Sequence, residues 1–442
     1  MTSDQITLIN ARWVVPIEPS NIVLNHHSVA FDKGSIVDIL PTKDALTKYS
    51  TAHQVNRPDH VIIPGLVNSH THAAMNLFKG LADDLPLMDW LENHIWPAEA
   101  KWVDIEFMRD GTELAIAEML LSGTTCFNDM YFYPNIVATT AQEAGIRANV
   151  GLIVLDFPSV WASDSDEYFN KGLEVHDATR SLSLIQTALA PHAPYTVSDA
   201  PLEKIRTYAD ELQVQVHMHV HETAHEVSNS IEQYGMSPLT RLNSLGLLNP
   251  RMIAVHMTQL TDDDISLSAL QGINVVHCPE SNQKLASGQC RVDDLLSAGT
   301  NVCLGTDSAA SNNDLDMLGE IRSAALAAKN SNANAKALPA WQALEMATIN
   351  GAKALNMQDQ IGSLKVGKFA DMVAIDLKHV STQPTYDPIS QIVYSASREQ
   401  ISDVWIQGKQ VVSDKKLTTI DLDKVLQNAH RWGEKIQQTN NK

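Results

Sequence analysis

Eight apolar runs of strand length, separated by helical patterns, limit what this chain can fold into more than any other feature. They cover residues 61–68, 124–129, 148–155, 184–190, 214–218, 252–255, 273–276 and 302–305. Near-continuous apolar strands alternating with helices are the pattern of a parallel sheet built from βα units. Eight such units predict an α/β fold, a closed (β/α)8 barrel of the TIM type. The helical patterns are clearest over 110–121, 201–212, 262–270 and 341–354, where apolar residues recur at helical spacing.

A chain of 442 residues is longer than such a barrel requires, and its two ends read differently. Short alternating segments at 5–9, 13–15, 28–31 and 35–40 are β-like, with Asp32-Lys33-Gly34 as a hairpin turn. Matching segments return at 370–375 and 404–412. The two ends are therefore expected to form one discontinuous β-sandwich domain from residues 1–60 and 362–442, with a peripheral amphipathic helix over 422–437. The barrel is expected over 61–361.

In a barrel of this type the functional side chains stand at the C-terminal ends of the strands. The residues there are His70 and His72, His192, His219, His256, His277 and Asp307. Histidines that only fill a core have no reason to collect at one end of so many strands. His70 and His72, one residue apart, point to the same face of a strand and can reach one ion. In the fifth run His217, His219 and His221 also share a face, and period alone does not choose among them. His219 is favoured because it lies at the expected strand end with Glu222 three positions on. His217 then reads as a core residue, and His221 as either a supporting or a plain one.

Three neutral imidazoles and one carboxylate suit a borderline divalent ion, Zn²⁺ first, one per chain, with Fe²⁺ or Mn²⁺ able to use the same ligands. Such an ion brings the pKa of a water towards ~7. Glu222 stands where it can take that water's proton and pass it to a substrate nitrogen.

Composition narrows the substrate. With 32 basic against 52 acidic residues the formal charge is −20, which repels nucleic acid and favours a small neutral or cationic substrate. The H-x-E and P-C-x-x-C signature of zinc-dependent nucleic-acid deaminases is missing. No apolar run approaches membrane-spanning length and no signal peptide opens the chain, so no membrane partner and a cytoplasmic location are expected. Cys126, Cys278, Cys290 and Cys303 form no C-x-x-C pair and read as reduced, buried thiols.

Four stretches resemble the amidohydrolase superfamily: Pro64-Gly65-Leu66-Val67-Asn68-Ser69-His70-Thr71-His72, His219-Val220-His221-Glu222-Thr223, Leu304-Gly305-Thr306-Asp307, and residues 361–371. Within it, residues 80–91, Ala190-Pro191-His192-Ala193-Pro194-Tyr195 and Ala309-Ala310-Ser311-Asn312-Asn313 are similar to the 5′-methylthioadenosine/S-adenosylhomocysteine deaminases. The resemblance implies a mononuclear zinc site on His70, His72, His219 and Asp307, with His256 hydrogen-bonded to the bound hydroxide. It implies that Glu222 protonates the purine ring as hydroxide adds, and that Asp307 relays a proton to departing ammonia, leaving an inosine-type product. It also puts Trp90 and His192 in the substrate pocket and Glu99 on the ribose hydroxyls, where a carboxylate can accept two hydrogen bonds from a vicinal diol. Relatives are commonly dimers or tetramers, so a homo-oligomer is expected.

Two departures bear on these expectations. Ser308 follows the metal-binding aspartate where relatives often have glycine, a change not expected to alter the chemistry. The run Ala148-Asn149-Val150-Gly151-Leu152 lacks an arginine that some relatives use to meet the homocysteine carboxylate, which favours 5′-methylthioadenosine over S-adenosylhomocysteine, with adenosine a further candidate. Met75, Leu77, Phe78 and Met88 are candidates for an apolar tail pocket. The competing readings are another ring aminohydrolase or chlorohydrolase of the superfamily, acting on guanine, a pyrimidine or an s-triazine, and a metal-binding barrel without catalysis. Binuclear cyclic-amide hydrolases place a bridging lysine at the end of the fourth strand, where this chain has His192.

Overall fold

The computed structural model describes residues 6–440; residues 1–5 and 441–442, the outer edges of the expected end domain, lie outside them. Eight strands form the barrel: Leu66–Thr71, Thr124–Tyr131, Arg147–Val154, Ile185–Pro191, Val216–Val220, Met252–His256, Asn274–His277 and Asn301–Leu304. They lie side by side in chain order and parallel. The ring closes where Thr71 bridges Asp307, whose N–H donates to His70 O at 3.0 Å. A Cβ on Gly305 would stand 2.7 Å from His70 N, so only glycine lets the first and last strands meet this closely. The closing seam thus places His70 beside Asp307.

The run 61–68 is not one strand. Residues up to Pro64 finish the strand His53–Pro64, which pairs parallel with Thr7–Val14 and antiparallel with Met372–Asp376 outside the barrel. The barrel begins at Leu66. Gly65 makes the step between sheets, and a Cβ there would lie 1.9 Å from Thr125 Oγ1. The expected helix over 341–354 is likewise two, Ala340–Met346 and Ile349–Ala354. Thr348 breaks it, at φ −132° and ψ −96° with its Oγ1 donating back to Leu344 O at 2.7 Å.

Both chain ends contribute to one hydrogen-bonded mixed sheet of eight strands. Its core includes Ile9, Val29 and Ile62 from the first end and Met372 and Trp405 from the second. The turn between Leu24–Asp32 and Ser35–Pro41 has positive φ at Lys33 (50°) and Gly34 (84°), the backbone of a two-residue type I′ hairpin. A buried ion pair ties sheet to barrel, with Arg147 Nε donating to Asp371 Oδ2 at 2.5 Å. The terminal helix Leu422–Asn440 docks on the helix Ile105–Leu121, Trp432 Nε1 donating to Asp110 Oδ2 at 2.9 Å. Among the described residues no helix is long and apolar enough to cross a membrane.

Candidate active site

The polar residues that close the strands meet at one end of the barrel. His70 Nε2 lies 3.1 Å from Asp307 Oδ1, and His72 Nε2 lies 3.3 Å both from that oxygen and from His219 Nε2. Donor atoms of His70, His219, His256 and Asp307 all lie within 4.8 Å of one another. His72 belongs to the same cluster through its two 3.3 Å contacts, so five donors surround a space that a four-ligand ion requires.

The hydrogen bonds behind the rings differ between His256 and the other three. His72 Nδ1 lies 2.5 Å from Met130 O and His219 Nδ1 lies 2.7 Å from His192 O. Carbonyl oxygens only accept, so both rings carry their proton on Nδ1 and turn the Nε2 lone pair to the centre. His70 Nδ1 meets His217 Nε2 at 2.9 Å, and donation to His217 leaves His70 Nε2 equally free. His256 is different. Asn282 Nδ2 lies 2.9 Å from its Nδ1, and an amide that donates there puts the ring proton on Nε2, facing Glu222 Oε2 at 3.8 Å. That is the posture of a hydrogen-bond donor.

Charge states cut across that grouping: burial would lower His72, but Asp307 against it outweighs burial and raises it above the usual imidazole range. Burial holds His70 and His219 below the usual imidazole range and brings His192 and His256 down to about 3, so these rings are neutral. Burial alone would raise Asp307, but the His70 and His72 rings against its Oδ1 outweigh burial and hold it well below the carboxylate range. Glu222 goes the other way: burial, then the nearby Asp307 and Glu226, push its carboxyl well up and keep it protonated. Two carboxyl groups at one site are thus pushed in opposite directions. His221, His256, Met257 and Asp307 have φ of 53°, 76°, 49° and 62°, the sparsely populated left-handed region where strand gives way to loop.

Several supporting residues have no motif that marks them. Ser281 and Ser311 donate to Asp307 Oδ2 at 2.6 and 2.9 Å. Glu226 accepts the backbone N–H of both His221 (3.0 Å) and Glu222 (2.7 Å). His217, read from the sequence as a core residue, is indeed deep and buried, yet it is also the partner of His70. His221 faces away, bonded to Gln259 O and to the N–H of Leu239. His277 is buried with neither ring nitrogen hydrogen-bonded to another described residue.

A cavity of about 470 Å³ opens over the cluster, and Trp90, Glu99, His192 and Glu222 all line it. Glu99 accepts from Tyr131 Oη at 2.8 Å, and burial against the cavity pushes its carboxyl up to about 7 despite that bond. The lining also includes Phe132, Ile153, Leu155, Phe157 and Val160, with Ser159 among them, and among the described residues no lysine or arginine lines the cavity. Of the four tail-pocket candidates only Met75 reaches it. Met88 lines a smaller adjoining pocket, and Phe78 packs on Phe107 at 4.8 Å between ring centres. Arg147, the arginine of the third strand, is 1% exposed and committed to Asp371.

The sequence model of the amidohydrolase family matches residues 61–411, from the last residues before the barrel to the far end of the mixed sheet. The chain belongs to the amidohydrolase family. This amidohydrolase is similar to a 5-methylthioadenosine/S-adenosylhomocysteine deaminase of Teredinibacter turnerae, 48% identical over 428 residues that cover 97% of each chain. A protein of the same name from Saccharophagus degradans is 47% identical over 430 residues, 97% of this chain and 96% of that one. Among solved structures it is similar to an adenosine deaminase from Xanthomonas campestris with bound zinc, at a TM-score of 0.97 and 52% identity over 98% of both chains.

Proposed function

We propose that this amidohydrolase hydrolytically deaminates 5′-methylthioadenosine to the inosine-type nucleoside and ammonia, using one zinc ion per chain held by His70, His72, His219 and Asp307. The free Nε2 lone pairs and the ionised Asp307 fit that ion, and Fe²⁺ or Mn²⁺ could use the same donors. When bound, the metal lowers the pKa of a water to about 7.

The chain's own groups do the rest. Glu222, kept protonated by burial, donates from its carboxyl to the ring nitrogen beside C6 as water oxygen bonds to that carbon. His256 Nε2–H hydrogen-bonds the attacking oxygen. Asp307, steadied by Ser281 and Ser311, receives a proton from the water and returns it to the departing amine, so that C6–N breaks, ammonia leaves, and the hydroxyl on C6 gives its proton back to the Glu222 carboxylate as the inosine-type carbonyl forms. Glu99 accepts from the ribose hydroxyls, and Trp90 and His192 wall the base. A cytoplasmic setting fits the four cysteines, all buried and unpaired.

One observation carries the choice of substrate: a mostly apolar lining shares the cavity with Glu99, Glu222 and Asp307, and among the described residues no lysine or arginine lines it. A methylthio group suits those walls. A homocysteine carboxylate would be buried unpaired there, at a cost of several kcal/mol. A panel of 5′-methylthioadenosine, adenosine and S-adenosylhomocysteine tests this by kcat/KM. The methylthio substrate should exceed S-adenosylhomocysteine by about 100-fold or more. Equal values would remove the specificity argument, and no ammonia from any nucleoside would overturn the function.

A further inference from the structure

The segment over the cavity places Leu87, Trp90, Leu91 and Glu99 in its walls. The stretch leading into it, residues 79–89, has no buried residue. Leu81, Ala82, Leu85, Leu87 and Met88 pack on the core but are only partly buried, so side-chain burial holds this stretch less firmly than its surroundings. It is also fastened by polar contacts, at Lys79, whose Nζ donates to Glu118 Oε2 at 2.6 Å, and at Asp83. Lys284 Nζ donates to Asp83 Oδ1 at 2.6 Å and also to Asn313 Oδ1, while Asn313 Nδ2 lies 3.4 Å from Asp83 Oδ2.

Where those anchors sit is the informative part. Lys284 ends the helix Pro279–Lys284, which also carries Ser281, bonded to Asp307, and Asn282, bonded to His256. Asn313 directly follows the helix Ala309–Asn312, whose Ser311 bonds both Ser281 and Asp307. The cover over the substrate is therefore tied to the same two short helices that orient the residues at the reacting centre. An isolated surface ion pair would do little. This one is 23% exposed at the lysine and 37% at the aspartate, has a third partner, and falls in a stretch with no fully buried side chain.

We propose that Lys284 is a positioning residue that joins closure of the cover, residues 79–91, to the alignment of His256 and Asp307. For its kinetic consequences the inference rests on the deaminase reading above; for the fastening itself it does not. The test uses full-length, zinc-loaded parent, Lys284→Ala, Lys284→Arg, Asp83→Asn and the double variant Asp83→Asn/Lys284→Ala.

Lys284→Ala should raise KM for 5′-methylthioadenosine about five- to tenfold and lower kcat as well. Asp83→Asn should raise KM with kcat within about twofold of the parent, because Lys284 keeps Asn313. Lys284→Arg should recover most of the KM loss, and the double variant should be no worse in KM than Lys284→Ala alone. A parent-like KM in Lys284→Ala, or KM effects that multiply in the double variant, would overturn the proposal. Amide hydrogen exchange keeps this apart from the deaminase reading: if the parent turns over no nucleoside, Lys284→Ala should still exchange faster across 79–89. Equal exchange there would overturn the fastening.

Discussion

At the level of single residues, the site works by giving like groups unlike surroundings. His72 and His219 each spend one ring nitrogen on a carbonyl, whereas His256 faces an amide, and on the proposed reading that contact makes His256 a hydrogen-bond donor instead of a ligand. Strand-end register made the histidines and Asp307 legible in the sequence, because it depends on period and position. Asn282, Ser281 and Glu226 were not legible, because their contacts cross loops that no local pattern describes. Removing Asn282's amide, as in Asn282→Ala, should lower kcat about 10- to 100-fold while metal content stays at the parent value. Loss of metal instead would show His256 to be a ligand. Glu99 makes a prediction with a sign. Its carboxyl is raised to about 7, so the carboxylate that accepts from a diol grows as pH rises through that value. KM for the nucleoside should fall between about pH 6 and about pH 8 in the parent and stay flat in Glu99→Gln. Steady-state kinetics over that range would contradict the role if KM rose.

At the level of elements, the barrel strands were readable because both their faces are buried and the runs are apolar throughout. The same property hid the change of sheet inside 61–68. An apolar run looks alike whichever sheet buries it, and the marker is a close approach at Gly65 that sequence does not display. The break near Thr348 was hidden for a related reason, since a back-bonding threonine is common inside helices that continue. Besides a shared apolar core, barrel and mixed sheet are tied by a buried ion pair. Arg147→Ala would leave Asp371 buried without its partner and should cost about 3–5 kcal/mol. Urea unfolding reads this as a lower midpoint. An unchanged midpoint would mean that Gln407 N–H, the other donor to Asp371, suffices.

At the level of the whole molecule, the closing of the barrel and the building of the site are one event. The seam between the first and last strands sets His70 against Asp307, and the remaining histidines arrive from strands between them. An acidic chain of net charge −20, with no lysine or arginine among the described residues that line the cavity, is consistent in sign with a small uncharged substrate. The central claim is that a buried, protonated Glu222 delivers the proton that makes the purine ring reactive, beside a metal it does not hold. Metal content and ammonia release from 5′-methylthioadenosine, measured together on the parent and Glu222→Gln, test it most directly. The account predicts about one metal per chain in both proteins and a rate at least about 100-fold lower in the variant. A variant that keeps its metal and its full rate would contradict it.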